Sequence, residues 1–224
     1  RDVRALSHVK DLATFRRFIG LVASRHGQIL NKSDLSAALG MSVQAVTDWL
    51  NILEVTWQIL IVPPYFENFG KRLTKSPKVY VLDSGLACYL LGIESSSDLK
   101  KSPFAGALFE GFVAAEIVKH QINQGQRPAL YFFRDQQGLE VDFVVPRKNA
   151  GILAIEVKAS KSVRSQAAKP LIQLLDATLG DRSPRGTMSG VIVHDKPRDG
   201  LATVAPGIVA LSPSELLAKL DRDE

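Results

Sequence analysis

Hydrophobic spacing along the chain changes near residue 92 and divides it into two regions. In the first region apolar residues recur every three or four positions, which predicts three short helices. Phe15, Ile19 and Val22 mark one face of the first helix, and Ser33 and Ser42 are the expected N-caps of the second and third. Two short helices joined by a tight glycine turn indicate a helix-turn-helix.

Two apolar segments, 57–62 and 78–82, follow these helices and predict a pair of strands. The segment between and beside them contains a basic cluster, Lys71, Arg72, Lys75 and Lys78, with no acidic residue among them. Three helices followed by a hairpin with a basic tip make a winged helix-turn-helix domain, expected over residues 1–92. The basic cluster suits the phosphate backbone of nucleic acid, although a solvated loop explains it equally well.

The second region alternates helices with strands. A polar stretch at residues 93–102 is the expected linker, because it lacks an apolar period and is rich in turn formers. Residues 103–224 then predict helices at 104–121, 164–179 and from 214 onward, with strands at 129–134, 139–145, 152–158, 190–194 and 207–211. The resulting α-β-β-β-α-β order predicts an α/β fold with a mixed sheet.

Two of these strands carry the candidate chemistry. Glu156 and Lys158 point to the same side of their strand, since side chains alternate between faces. Asp142 lies on the preceding strand, and a hairpin brings it beside Glu156. Two adjacent carboxylates repel unless a cation joins them, and oxygen ligands favour Mg²⁺, with Mn²⁺ as a substitute. Lys158 would then stabilise charge on a reacting phosphate. The alternative is a structural cluster of ion pairs at a sheet edge.

A further carboxylate, Glu110, lies on an apolar helix face with Val113, Ala114 and Ile117. A carboxylate buried there needs a partner, which favours a role in the same site. The spacing of Glu156 and Lys158 is weak by itself, because Asp98-Leu99-Lys100 matches it in a segment without strand character.

Four segments in order resemble a known family: SPKVYVLDSGL at 76–86, LFEGF at 108–112, YFFR with EVDF at 131–143, and IEVK at 155–158. The pattern is similar to the PD-(D/E)xK nuclease-like fold, and the whole chain to the C-terminal part of a prokaryotic AAA-type ATPase family that carries a winged helix before this domain. The resemblance implies that Asp142 and Glu156 bind metal and that Lys158 and Glu110 are catalytic. It also implies accessory positions at Arg134 and Glu140, and an ATPase domain outside this chain as partner. No Gly-x-x-x-x-Gly-Lys-Ser/Thr loop occurs, so we expect no ATP site here.

Composition excludes several classes of protein. With 46% hydrophobic and 23% charged residues, the chain is not wholly disordered. A single cysteine, Cys88, excludes a disulfide framework and favours a reducing, cytoplasmic setting. No apolar run is long enough to span a membrane, and the start resembles no secretory signal. The absence of an initiator methionine suggests a fragment, and the four histidines show no paired metal-binding spacing.

Two functions remain open from the sequence. The first is a Mg²⁺-dependent phosphodiesterase acting on DNA, attached to a winged helix that holds the duplex. The second is a catalytically silent nucleic-acid-binding or assembly module of the ATPase, and homo-oligomerisation is open in either case. A winged-helix transcription factor is disfavoured, because the third helix exposes no basic residue for reading bases, only Gln44, Thr47, Asp48 and Asn51.

Overall fold

The computed structural model describes residues 12–65, 76–147, 151–160, 162–179, 188–195 and 202–222. The described residues form two compact units. Unit 1 comprises 12–62 and 76–112. Unit 2 comprises 63–65 and the described residues from 113 onward. Helices and a mixed six-stranded sheet make the chain an α/β protein, as the alternation of elements predicts.

Unit 1 begins with three helices and a small sheet. Its elements are α1 (Leu12–Ser24), β1 (Gln28–Ile29), α2 (Lys32–Leu39), α3 (Val43–Val55), β2 (Ile59–Val62), β3 (Lys78–Val81), α4 (Ser84–Leu90) and α5 (Ser96–Lys101). The sheet is antiparallel in the order β1-β3-β2, and β1 is too short to have shown a period in the sequence. Phe18, Val22, Val46 and Leu50 of the helices pack with Val79 of β3 in the core of the unit.

Side-chain caps set the bounds of α2 and α3. Ser42 begins α3 as predicted, because its hydroxyl accepts a hydrogen bond from the Ala45 amide at 3.2 Å. The prediction that Ser33 caps α2 is wrong. Asn31 takes that position, and its side-chain oxygen accepts hydrogen bonds from the amides of Ser33 (3.0 Å) and Asp34 (3.2 Å). Asparagine and serine are comparable caps, so the sequence alone does not separate them.

The stretch expected to be an irregular linker, 93–102, contains α5. Ser95 caps this helix by accepting a hydrogen bond from the Asp98 amide, and its hydroxyl donates to the Asp98 carboxylate at 2.6 Å. Ile93 and Leu99 pack against the buried cluster that includes Leu108. Because most residues of the segment are polar, the sequence did not reveal that Ile93 and Leu99 are packed and that Ser95 and Asp98 cap a helix. The division between the units lies further on, between residues 112 and 113 inside α6 (Ala105–Asn123).

Unit 2 is built on a mixed sheet. Its elements after α6 are β4 (Tyr131–Arg134), β5 (Glu140–Arg147), β6 (Gly151–Lys158), a short 3₁₀ helix (Ser165–Ala168), α7 (Lys169–Leu179), β7 (Met188–His194), β8 (Ala202–Ala205), β9 (Ile208–Leu211) and α8 (Pro213–Arg222). The strand order is β4-β5-β6-β7-β9-β8. The β6–β7 and β7–β9 pairs are parallel and the other pairs antiparallel.

The strands of this sheet supply the core of unit 2. Val144, Ala154 and Ile192 on three neighbouring strands pack against Leu171 and Leu174 of α7. This apolar layer fixes the register of β5 against β6, because a slip of one residue would turn the buried side chains to the opposite face. The register in turn determines where the polar residues at the strand ends lie.

Candidate functional site

The end of the β5–β6 ladder brings Asp142 against the Glu-Val-Lys segment. The two strands pair from Arg147 and Gly151 up to Phe143 and Ile155. Beyond that pair, the Asp142 Oδ2 atom accepts a hydrogen bond from the Val157 amide at 2.7 Å. The side chain thereby replaces the backbone carbonyl that a continuing ladder would supply. The carboxylate of Asp142 is therefore held at the Val157 amide, one residue from Glu156 along β6.

Glu156 and Lys158 lie on one face of β6, as alternation predicts. The Glu156 Oε1 and Lys158 Nζ atoms are 2.5 Å apart. The Glu156 side chain is 6% exposed and that of Lys158 40% exposed. A nearly buried carboxylate is costly without a cation, and the ammonium provides one while remaining accessible from solvent.

The donor set at this ladder end consists of carboxylate oxygens. Asp142 and Glu156 supply the ligand type that Mg²⁺ and Mn²⁺ prefer, and Mg²⁺ commonly uses one or two carboxylates with water and substrate phosphate. Among the described residues, no group of three or more His, Cys, Asp and Glu side chains is arranged to hold a metal ion. A metal bound here would therefore depend on these two carboxylates and on ligands from outside the chain.

The accessory pair predicted at Arg134 and Glu140 lies on the neighbouring hairpin. The two residues are directly opposite in the β4–β5 register, and the Arg134 Nη1 and Glu140 Oε2 atoms are 3.5 Å apart. Their side chains are 44% and 32% exposed. An ion pair this exposed to solvent contributes about 0–1 kcal/mol to the free energy of unfolding, so its effect on the stability of the fold is small.

Glu110 lies on α6 in unit 1, whereas Asp142, Glu156 and Lys158 belong to unit 2. Its Oε1 atom accepts hydrogen bonds from Lys78 Nζ at 3.1 Å and from the Tyr80 hydroxyl at 2.5 Å. The partner that a carboxylate on an apolar helix face requires is thus provided by β3.

This contact also corrects the expected nucleic-acid surface. Lys78 is 3% exposed and forms an ion pair with Glu110, so it is not available to a phosphate backbone as predicted. The prediction failed because Lys78 follows a basic run in sequence but points into the unit from β3. The other three predicted contacts, Lys71, Arg72 and Lys75, lie outside the described residues.

A buried histidine, His26, packs edge-on against Tyr80 beside this pair, and the sequence assigned it no chemistry. The His26 Nδ1 atom accepts a hydrogen bond from the Val81 amide at 3.1 Å, and burial lowers the pKa of His26 from 6.5 to about 4. A Cβ atom built on Gly111 would lie 2.1 Å from His26 Nε2. Only glycine leaves room for the ring. A glycine in a helix interior costs about 1 kcal/mol, so it signals such a close approach.

Two different protein families match two successive parts of the chain. Residues 1–97 match a family described as a domain of unknown function (DUF8612). Residues 105–199 match a second, described as a domain of unknown function (DUF4143). The second match contains Asp142, Glu156 and Lys158.

Two curated mycobacterial proteins are similar to part of the chain. They are uncharacterized proteins Mb2031c of Mycobacterium bovis and Rv2008c of Mycobacterium tuberculosis, each 33% identical over 145 residues. The similarity covers 65% of this chain and 32% of each relative, so it spans about a third of the relatives' length.

Among solved structures, the chain is similar to one in a half-complex of Thermococcus gammatolerans McrB AAA+ hexamers with bound McrC. That match has a TM-score of 0.35 at 13% identity and covers 93% of this chain and 76% of the other. A TM-score this low does not establish a shared fold. Within the described ranges, no helix combines the length and hydrophobicity needed to cross a bilayer.

Proposed function

We propose that the protein is a Mg²⁺-dependent phosphodiesterase of the PD-(D/E)xK type that acts on nucleic acid, with duplex DNA as the expected substrate. The observation that carries the proposal is the hydrogen bond that the Asp142 carboxylate accepts from the amide of Val157, the residue between Glu156 and Lys158. The order of one helix, three antiparallel strands, a helix and a parallel strand in unit 2 supports this type of fold. In unit 1, the three helices followed by the paired strands β2 and β3 support a winged helix.

The residues at the ladder end have separate roles in this proposal. Asp142 and Glu156 hold the ion through their carboxylate oxygens. An ion held by these carboxylates would supply Lewis-acid chemistry, lowering the pKa of a water molecule and polarising a phosphoryl oxygen. Lys158 stabilises the negative charge that develops on the phosphate, and Glu156 holds its ammonium group in position from 2.5 Å. The partial exposure of Lys158 leaves its ammonium accessible to a substrate.

We also propose that the chain works as the C-terminal region of an AAA-type ATPase. The support is the order of the four sequence segments. This chain itself contains no nucleotide-binding loop. ATP hydrolysis would then take place in another part of the full-length protein. An assembly of several copies is compatible with this arrangement.

A catalytically silent nucleic-acid-binding or assembly module is the second candidate. It is favoured by the ion pair of Glu110 with Lys78, which is a contact that a purely structural carboxylate would make. The Glu156–Lys158 pair fits a structural cluster as well. The two candidates differ in whether the site at the end of the β5–β6 pairing hydrolyses a phosphodiester bond.

The experiment is a cleavage assay on single- and double-stranded DNA and RNA with Mg²⁺ or Mn²⁺, using the chain and the full-length protein. Asp142→Asn keeps the size of the side chain but removes the charge, and activity should fall about 10²–10³-fold. Asp176→Asn is the matched control, since Asp176 is an exposed residue of α7. Lys158→Met should slow turnover by a similar factor and leave metal binding intact.

Wild-type cleavage that disappears in Asp142→Asn and persists in Asp176→Asn supports the phosphodiesterase. Absence of cleavage by the wild-type full-length protein on every substrate contradicts it and favours the silent module. Equal cleavage by wild type and Asp142→Asn also contradicts it, because the activity would then come from another site or a contaminant.

A further inference from the structure

A cavity of about 540 Å³ in unit 2 lies outside the candidate site. It is lined by residues from the end of α6, the loop that follows, the end of β5 and the helix α8. The described residues of this lining include Arg127 and Arg147 and no acidic residue. We infer that the cavity binds a nucleoside monophosphate, with its phosphate at the two arginines and its base against the apolar part of the wall. This inference goes beyond the proposed function and does not depend on cleavage at the candidate site.

The cavity and the candidate site lie toward opposite ends of β5. Arg147 pairs with Gly151 where the β5–β6 ladder starts, whereas Asp142 accepts its hydrogen bond from Val157 beyond the last pair of the ladder. Asp142 and Arg147 are five residues apart on β5, which is about 17 Å at the rise of an extended strand. A nucleotide in the cavity is therefore distinct from a phosphate bound at Asp142.

The two arginines match a phosphate monoester in charge and in shape. Their guanidinium groups are always protonated and present paired N–H donors that fit phosphate oxygens. A phosphate monoester carries about 1.5–2 negative charges at pH 7, which two arginines balance. The Arg147 Nη2 atom donates to the Ser189 hydroxyl at 3.1 Å, which orients this guanidinium group. Arg127 is exposed and forms no ion pair within the described part of the chain.

An acidic side chain close to the lining, Asp221, is held by two other polar residues. The Asp221 Oδ1 atom lies 3.1 Å from His120 Nε2 and accepts a hydrogen bond from Gln124 Nε2 at 3.2 Å. Both of these partners line the cavity. The carboxylate is thus engaged by a histidine and an amide, and the two arginines keep their charge for a ligand.

The loop that carries Arg127 is held in place from both sides. The Gln121 side chain is buried, and its amide group accepts a hydrogen bond from the Ala129 amide at 3.0 Å and donates to the Ala129 carbonyl at 3.4 Å. At the end of α6, Gly125 has a φ of 71° and the Gln126 amide donates to the Gln121 carbonyl at 2.9 Å. Because the loop is already ordered, less entropy is lost when a ligand binds to it.

The size of the cavity and its apolar wall favour a nucleotide over a bare phosphate ion. Binding sites for small molecules usually have volumes of about 300–1,000 Å³ and are mostly apolar. Val145, Pro146 and Leu220 supply apolar surface to this cavity. A nucleobase has apolar faces and polar edges, so it fits against such a wall. Gln124 and Gln126 also line the cavity, and their amide groups are of the type that donates to and accepts from the edges of a base.

The test is isothermal titration calorimetry of this chain with the four 5′-nucleoside monophosphates. Divalent metal is left out, so that no phosphate is held at Asp142 and Glu156 through an ion. Because the chain contains no nucleotide-binding loop of the Gly-x-x-x-x-Gly-Lys-Ser/Thr type, no such site competes for the ligand. Inorganic phosphate and adenosine are titrated separately. Each should bind at least about tenfold more weakly than the best monophosphate, because each lacks one part of the contact.

Arg127→Gln tests the phosphate contact with little risk to the fold, because the side chain is exposed. A lost hydrogen bond to a charged group should weaken binding of the monophosphate by about 10–100-fold. Circular dichroism verifies that the variant is folded. The matched control is Arg164→Gln, which removes the same charge from another exposed arginine of unit 2, one that is not part of the lining.

Binding of a nucleoside monophosphate that is weakened in Arg127→Gln and retained in Arg164→Gln supports the inference. Absence of binding by wild type overturns it, and so does equal affinity of wild type and Arg127→Gln. Inorganic phosphate or adenosine that binds as tightly as the monophosphates also overturns it, because the base or the phosphate would then make no contact. These results leave the proposed function to its own cleavage assay.

Discussion

The buried ion pair between Glu110 and Lys78 makes a strong prediction about the stability of unit 1. Glu110→Gln keeps the shape of the side chain but leaves the Lys78 ammonium without its counter-charge. The Lys78 side chain is 4% exposed and that of Glu110 16%, so water screens little of the interaction. The variant also weakens the hydrogen bond that Tyr80 donates to the carboxylate.

The size of the effect follows from burial. Removing one member of a buried ion pair costs about 3–5 kcal/mol, because a charge stays desolvated without its partner. Glutamine still accepts hydrogen bonds from Lys78 and Tyr80, so we expect a loss of about 3 kcal/mol. The control is Glu54→Gln in α3, an exposed carboxylate of the same unit, whose replacement should change the free energy of unfolding by less than about 0.5 kcal/mol.

Urea unfolding provides the assay. Trp49 and Trp57, the two tryptophans of the chain, both lie in unit 1 and report its unfolding, while circular dichroism follows the whole chain. Lys78→Met and the double variant with Glu110→Gln complete a thermodynamic cycle. We expect a coupling free energy of about 2 kcal/mol between the two positions. A loss in Glu110→Gln no larger than in Glu54→Gln, or a coupling below about 0.5 kcal/mol, would refute the reasoning.

Two further predictions concern the same region of unit 1. Gly111→Ala should destabilise unit 1 by about 1–3 kcal/mol, because the added methyl group is forced against His26. In the control Gly106→Ala the methyl group meets nothing within 4 Å, so we expect no loss of stability. The midpoints of urea unfolding distinguish the two variants. Because the pKa of His26 is lowered to about 4 in the fold, neutral His26 stabilises the folded state above pH 6.5. The free energy of unfolding should fall by about 3 kcal/mol as pH falls from 6.5 to 4. A His26→Gln variant whose free energy of unfolding falls as steeply as that of wild type would contradict this.

Strong periodicity made much of the fold predictable from sequence. Strands β5 and β6 lie within two residues of the predicted 139–145 and 152–158, because long apolar runs that pack on both sides leave a clear pattern. The two-residue β1, the short β8 and the helix α5 were missed. Each is too short to show a clear hydrophobic period. The strand β1 forms by pairing with the distant β3, whereas β8 pairs with the adjacent β9.

The candidate site was predictable only in part, for a similar reason. Glu156 and Lys158 share a face of β6, and Asp142 reaches the Val157 amide, because strand alternation and a hairpin are local rules that the sequence expresses. The pairing of Glu110 with Lys78 is a contact between residues 32 positions apart, which no local pattern reveals. The available signal was the alternation of Lys78 and Tyr80, which places both side chains on one face of β3.

The most direct test of the central claim is Mg²⁺ binding to the isolated chain by isothermal titration calorimetry. We expect wild type and Asp176→Asn to bind Mg²⁺ with similar affinity. Asp142→Asn, folded as judged by circular dichroism, should bind Mg²⁺ at least about tenfold more weakly, since even an outer-sphere partner of a metal site contributes that much. Absence of Mg²⁺ binding by wild type, or equal affinity in wild type and Asp142→Asn, would contradict the claim that this ladder end is a metal site.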